Sequence, residues 1–178
     1  MLWKRFLLTP QMLPRLGWVA SHYADGGLFD FVNILESDGT PMTYTDLGAQ
    51  LASSVITWDD LDWIKQAWGD NGPIIAKGVM RADDAKRAID KGVKVVSWGN
   101  HGARQEDGVP PALHIVHNEM PHVGEDYRKL ADFTMDGGVR RGRHALIAIS
   151  YGLQAVGIGR PIAGAVGAAG YEGFRTSS

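Results

Sequence analysis

The sequence predicts an α/β fold: parallel strands alternating with helices over residues 57–178, preceded by an irregular loop and helical segment over residues 1–56. Three observations carry this. Short apolar runs recur after residue 68, and each is followed by a stretch with helical periodicity. Most of the 23 glycines lie in the same region. Charged and polar residues gather where each apolar run ends.

Residues 1–50 have broken periodicity, punctuated by Pro10, Pro14, Gly26, Gly27, Gly39 and Pro41. Short helices are expected around Leu2–Leu8 and Met12–Tyr23, with no strand before residue 50. Order begins at Thr57-Trp-Asp-Asp60, a near capping box in which a hydroxyl is followed three residues later by an acid. Asp59, Asp60 and Asp62 suit the positive end of a helix dipole. Leu61, Ile64 and Trp68 share a helical face, and Gly69 is placed to end the helix, so a helix is expected over 58–68. Trp58, Trp63 and Trp68 read as packing residues.

The apolar runs then follow in order: Pro73–Gly78, Val93–Trp98, Asp132–Met135 and Ala155–Ile158. Helices are expected after them at Asp83–Lys91, near Pro111–His122, at Arg143–Tyr151 and at Ile162–Ala169. Strands alternating with helices point to βα units and a parallel sheet. Lys77, Asn100, His101, Arg104, Asp136 and Arg160 fall at or just past the strand ends. In a parallel α/β barrel those ends share one face, where chemistry occurs. Asp136-Gly-Gly-Val-Arg140 and Gly159-Arg160 are glycine-rich turns that open helices, and bare N–H groups at a helix start bind phosphate. Barrels of this kind commonly place a phosphate site on the loops after their last two strands, so the chain reads as strands 5–8 of a (β/α)8 barrel.

Composition removes several alternatives. The chain has no cysteine, which excludes disulfides, thiolate nucleophiles and cysteine metal sites. A formal net charge of -2 argues against nucleic-acid binding. No apolar run approaches a membrane span, and the first residues make a poor signal peptide, so a cytoplasmic chain or one peripheral on the inner membrane is expected. His114, His117 and His122 include an i, i+3 pair without a clear carboxylate partner. They read as a solvated helix face, and no metal site is expected.

Several motifs together resemble a known family. Asn100-His-Gly-Ala-Arg-Gln105, followed by Asp107-Gly-Val-Pro110, is similar to the active-site signature of FMN-dependent α-hydroxy-acid oxidases and dehydrogenases. Asp136-Gly-Gly-Val-Arg-Arg-Gly142 and Gly159-Arg-Pro161 resemble that family's FMN-phosphate loops. Ile75-Ala-Lys-Gly78 with Ala82–Ala88 resembles its flavin-lysine strand and the following helix, and Ser54–Ile64 the helix before it. Pro14-Arg-Leu-Gly-Trp18 and its surroundings look like the long loop of the L-lactate dehydrogenase branch, the branch the chain resembles most. The resemblance implies the C-terminal half of a TIM barrel with FMN as cofactor.

It also implies roles. His101 would be the base that takes a proton from the α-hydroxy acid, a task suited to imidazole. Arg104 would bind the substrate carboxylate with a planar, permanently charged fork. Lys77 would sit at the flavin N1/O2 edge and stabilise the anionic reduced flavin. Gly137, Gly138, Val139, Arg140, Gly159 and Arg160 would hold the FMN phosphate, with Asp136 on the ribityl hydroxyls. The implied reaction is oxidation of a lactate-like L-2-hydroxy acid to the 2-oxo acid, with a quinone, a cytochrome or oxygen as electron acceptor.

The sequence departs from the family in two respects. The first half of the barrel is absent, and with it the aspartate that orients the histidine. Gly99 stands where the family usually has a serine, beside a bulky Trp98. Open alternatives are therefore a non-catalytic FMN or phosphate binder and an inactive half-barrel fragment. Two open sheet edges predict self-association into a homo-oligomer or pairing with a missing N-terminal half.

Overall fold

A computed structural model describes residues 13–24, 31–53 and 55–176. The chain divides into two compact units, Met1–Ile56 and Thr57–Ser178.

In the first unit a 3₁₀ turn (Leu13–Arg15) leads into helix α1 (Leu16–Ala24). Strands β1 (Phe31–Leu35) and β2 (Pro41–Met42) pair antiparallel, and helix α2 (Tyr44–Ser53) follows. The helix expected over Met12–Tyr23 is present from Leu16, while the one expected over Leu2–Leu8 lies outside the described residues. The hairpin and α2 correct the expectation of no strand before residue 50. Gly39, at φ 83°, closes the hairpin turn, and Asp38 accepts hydrogen bonds from both the N–H and the hydroxyl of Thr40. Thr43 and Asp46 cap α2 reciprocally: Thr43 Oγ1 accepts from Asp46 N at 3.2 Å, and the Thr43 hydroxyl donates to the Asp46 carboxylate.

The second unit opens with α3 (Asp60–Trp68). Thr57 donates through its N–H (2.7 Å) and its hydroxyl (2.8 Å) to the Asp60 carboxylate. That is the acid half of the expected capping box. Trp63 and Trp68 are 60% and 46% exposed, which corrects the expectation that the tryptophans serve as packing residues. Their ring nitrogens bond locally, to Asp60 and to the Gly72 carbonyl. Trp58 stacks under the Arg87 guanidinium at 5.3 Å.

Then come β3 (Ile75–Val79), α4 (Ala82–Asp90), β4 (Val95–Trp98), α5 (Ala112–Val123) and the short α6 (Glu125–Arg128). They are followed by β5 (Asp132–Asp136), α7 (Gly142–Ser150), β6 (Ala155–Gly157) and α8 (Arg160–Thr176), the last broken at Ala169–Gly170. The strands form one parallel sheet in the order β3-β4-β5-β6. This is the α/β architecture the sequence predicts, a partial (β/α)8 barrel.

Alternation within the strands sorts the side chains. Val96 and Trp98 of β4 and Phe133 and Met135 of β5 point to the helices and are buried. Trp98 and Phe133 stack at 6.3 Å between ring centres. Helix α4 offers a stripe of Ala82, Ala85, Ala88 and Ile89, and its small residues let it lie close to the sheet and to α5. Residues of the other parity, Lys77 and Ser97 among them, face the side that would be the barrel interior. Lys77, Ser97, Thr134 and Ala155 stand in one row across the sheet.

Candidate active site

Parallel pairing places every strand's C-terminal end, and the loop that follows it, on one face of the sheet. A cavity of about 890 Å³ opens there. It is lined from β3 by Lys77, from the loop after β4 by His101 and Arg104, from the loop after β5 by Asp136–Arg140, and after β6 by Gly159 and Arg160. Every candidate site residue of the sequence thus meets the same cavity. Sequence reasoning omitted Gly102, Gly157, Ile158 and Pro161, which line it too. Gly102 and Pro161 lie inside motifs already singled out and were within reach. Gly157 and Ile158 carry no local signal.

Lys77 ends the regular part of β3. The β3–β4 register shifts between Lys77 and Val79, and Gly78 adopts φ 84°. Such a bulge re-aims the backbone beside a site. Here it clears a place for His101: a Cβ on Gly78 would stand 2.3 Å from His101 Cε1, so the imidazole lies directly on the bare glycine. Lys77 Nζ reaches across β4 to Asp136 Oδ2 at 3.1 Å. The other carboxylate oxygen, Oδ1, is buried without a hydrogen-bond partner. It sits over Gly99, where a Cβ would approach to 2.7 Å.

The loop after β4 is unusual. His101 (φ 54°), Gly102 (φ 71°) and Ala103 (φ 57°) are all left-handed. Non-glycine residues adopt this conformation at a cost, and such residues cluster at functional sites. Arg160 Nη2, from the start of α8, donates to the Gly102 carbonyl at 3.2 Å and so ties this loop to the last strand's turn.

The loops after β5 and β6 form the other end of the cavity. Gly137 (φ 101°) and Gly138 (φ 75°) make a turn that L-residues resist, and it leads into α7. Gly159 and Arg160 open α8, with Pro161 at an early helical position where a missing N–H does no harm. The start of α8 and the turn that leads into α7 therefore border one cavity. Its lining carries Lys77, Arg104, Arg140 and Arg160 against the single carboxylate of Asp136. This chemistry suits an anion, with N–H groups and helix dipoles for a phosphate and guanidinium groups for its charge.

These features define half of a parallel α/β barrel, with a histidine, an arginine and a lysine at the same mouth. Residues 7–177 match the FMN-dependent dehydrogenase family, and the chain belongs to that family. It is 38% identical over 133 residues to pre-mycofactocin synthase of Mycobacterium tuberculosis, covering 75% of this chain and 32% of that protein. It is 35% identical over 148 residues to L-lactate dehydrogenase of Serratia proteamaculans, covering 81% of this chain and 37% of that protein. Flavocytochrome b2 with sulfite bound superposes with a TM-score of 0.65 at 30% identity, covering 78% of this chain and 36% of that one. The chain thus spans about a third of the length of these relatives. Identities this similar do not single out the L-lactate dehydrogenase branch.

The residues present fit the family's cofactor. The cavity falls within the roughly 300–1,000 Å³ of small-molecule sites. The glycine turns bring backbone without a Cβ to the cavity wall, and the unpartnered Oδ1 of Asp136 is an acceptor without a donor. Among the described residues no helix is long and apolar enough to cross a membrane.

Proposed function

We propose that this chain carries the phosphate cradle, base and carboxylate clamp of an FMN-dependent enzyme that oxidises an L-2-hydroxy acid of lactate type. The observation that supports the reading is the convergence of His101, Arg104, Lys77 and the two glycine turns on one cavity. FMN, when bound, supplies the two-electron acceptor that no side chain provides. Gly137, Gly138, Val139 and Arg140, with Gly159 and Arg160, would hold its phosphate, and Asp136 its ribityl hydroxyls. His101 takes the proton of the substrate α-hydroxyl on an imidazole nitrogen. Arg104 pairs with the substrate carboxylate through its fork of donors and so fixes the reacting carbon near that base. Lys77 supplies positive charge where negative charge gathers during oxidation.

A second reading, a flavin or phosphate cradle without turnover, is favoured by one observation. Among the described residues no carboxylate hydrogen-bonds to the His101 ring, and a base without its orienting partner loses much of its activity. The edges of β3 and β6 also lack a strand neighbour among the described residues, so barrel closure needs strands from another segment or a second copy.

An FMN titration of the full chain, followed by anaerobic L-lactate, separates the readings through the flavin absorbance. Binding followed by bleaching, abolished by His101→Ala, is expected. Binding without bleaching would move the assignment to the cradle alone. Absence of binding up to millimolar FMN would overturn both.

A further inference from the structure

We infer that Asn100 is a positioning residue for His101, locking the left-handed run 101–103 that lays the imidazole on Gly78. The functional meaning rests on His101 being the base; the structural part does not.

Asn100 is one of the few buried polar residues among the described ones, 8% exposed. Its side chain makes three hydrogen bonds. Oδ1 accepts from Gly102 N at 3.0 Å and from Ala103 N at 3.2 Å. Nδ2 donates to the Pro110 carbonyl at 2.9 Å, at the far end of the same loop. The carboxamide thus fills the concavity that consecutive left-handed residues create, and it staples the two ends of the loop together. A second observation concerns the glycine turn. A Cβ on Gly137 would lie 3.3 Å from Asn100 Oδ1, so the bare glycine of the proposed phosphate turn also gives the carboxamide its room.

His101 and Ala103 hold a conformation that L-residues disfavour, so something must over-determine it. The described residues provide the Asn100 side chain, the backbone bond from Ala103 N to the Asn100 carbonyl at 2.9 Å, and Arg160 on the Gly102 carbonyl. The His101 ring makes no hydrogen bond of its own among the described residues. Its placement therefore depends on its backbone, and Asn100 sets that backbone. The chemistry required is one acceptor for two N–H groups and one donor, at the reach of a single methylene. Asparagine alone supplies this, because aspartate keeps the acceptor and loses the donor.

The test is nuclear magnetic resonance on the full chain. In the wild type the amides of Gly102 and Ala103 should be protected from hydrogen exchange, and His101 Hε1 should show a cross-relaxation peak to the Gly78 α-protons. Asn100→Ala should speed exchange of the Gly102 amide at least tenfold, and that of Ala103 less because its 2.9 Å bond to the residue 100 carbonyl remains, and it should remove the peak, while the sheet amides of Val96 and Met135 keep their protection. Asn100→Asp should retain protection at Gly102 and Ala103. Unchanged exchange and an unchanged peak in Asn100→Ala would overturn the inference. If Asn100→Ala unfolds the sheet, Asn100→Asp decides: loss of the two protections in a folded protein would overturn it. Flavin bleaching by L-lactate is a separate arm. Asn100→Ala should lower kcat, and KM should rise as well, because Arg104 lies in the same stapled loop. A chain that never bleaches flavin sinks the reading of His101 as base and leaves the resonance result standing.

Discussion

Gly99→Ala is the substitution whose cost the structure specifies most closely. Gly99 has no positive φ, so alanine introduces no backbone strain there. Its methyl would instead stand 2.7 Å from Asp136 Oδ1 and 3.1 Å from the Asp136 carbonyl oxygen. The first contact can be relieved by rotating the carboxylate, at the expense of its 3.1 Å pair with Lys77. That pair is half exposed and contributes only about 0–1 kcal/mol. The second contact is with backbone and cannot rotate away. Asp136 is also held from the other side, since a Cβ on Gly157 would lie 3.1 Å from its own Cβ. Strands β4 and β5 must therefore part slightly at their functional end, an overpacking cost of about 1–3 kcal/mol.

For a chain of this size each kcal/mol lowers Tm by roughly 2–4 °C. Urea unfolding followed by circular dichroism reads the loss directly. In the Asp136→Ala background the part due to the carboxylate should vanish and the part due to the carbonyl remain. An unchanged midpoint for Gly99→Ala would refute the reasoning, and so would complete rescue by Asp136→Ala. Because Asp136 belongs to the proposed cradle, Gly99→Ala should also weaken FMN binding.

Two further outcomes follow from the core and from the charges. Trp98→Ala empties the centre of the sheet–helix layer, where Trp98 is fully buried against Phe133, and should cost about 3–5 kcal/mol in urea unfolding. Trp98→Phe should cost much less, because the indole N–H it removes is buried without an acceptor. Lys91 holds Asp62 at 3.0 Å and Asp59 at 3.2 Å. The hydrogen bond from Lys91 lowers the Asp62 carboxyl below its ordinary 3.8, and the bonds to Asp62 and Asp59 raise Lys91 above 10.5. The Asp62 contribution is present above 3.8 and lost as pH falls through its lower folded value. The Lys91 contribution is present below 10.5 and lost as pH rises through its higher one. Stability against pH should accordingly lose part of both limbs in Lys91→Met, and an identical profile in that variant would contradict the assignment.

The second unit was legible because a parallel sheet writes itself plainly. Each strand is a short apolar run, glycine marks most of the turns, and Asp83 and Asp84 announce the start of α4. The first unit hid its signals in short elements. Asp38-Gly39 marks a hairpin turn and Thr43-Tyr-Thr-Asp46 a capping box, but β2 is too short to show alternation. The tryptophans misled for a geometric reason. A spacing of five residues rotates a helix by roughly 140°, so Trp63 and Trp68 cannot share a buried face, and Trp58 lies before α3 begins. Within the site, residue types and positions were readable from the motifs. The contacts between Gly78 and His101, and between Gly99 and Asp136, were not, because they follow from sheet register and from left-handed backbone at non-glycine residues.

The order of the strands explains why a third of a relative's length can still bring the candidate groups together. Lys77, His101, Asp136 and Arg160 come from neighbouring strands, so the wall they form spans three inter-strand gaps, about 14 Å, with no contribution from elsewhere. Lys77 and His101 stand toward one end, and the glycine turns toward the other. Arg160 joins the two by reaching back from α8 to the Gly102 carbonyl. The described residues do not give the His101 ring a hydrogen-bond partner. The loop's own backbone, held by Asn100 and by Arg160 on the Gly102 carbonyl, is thus what aims the imidazole among the described residues. The placement of His101 should accordingly be the same in the isolated chain as in a completed barrel.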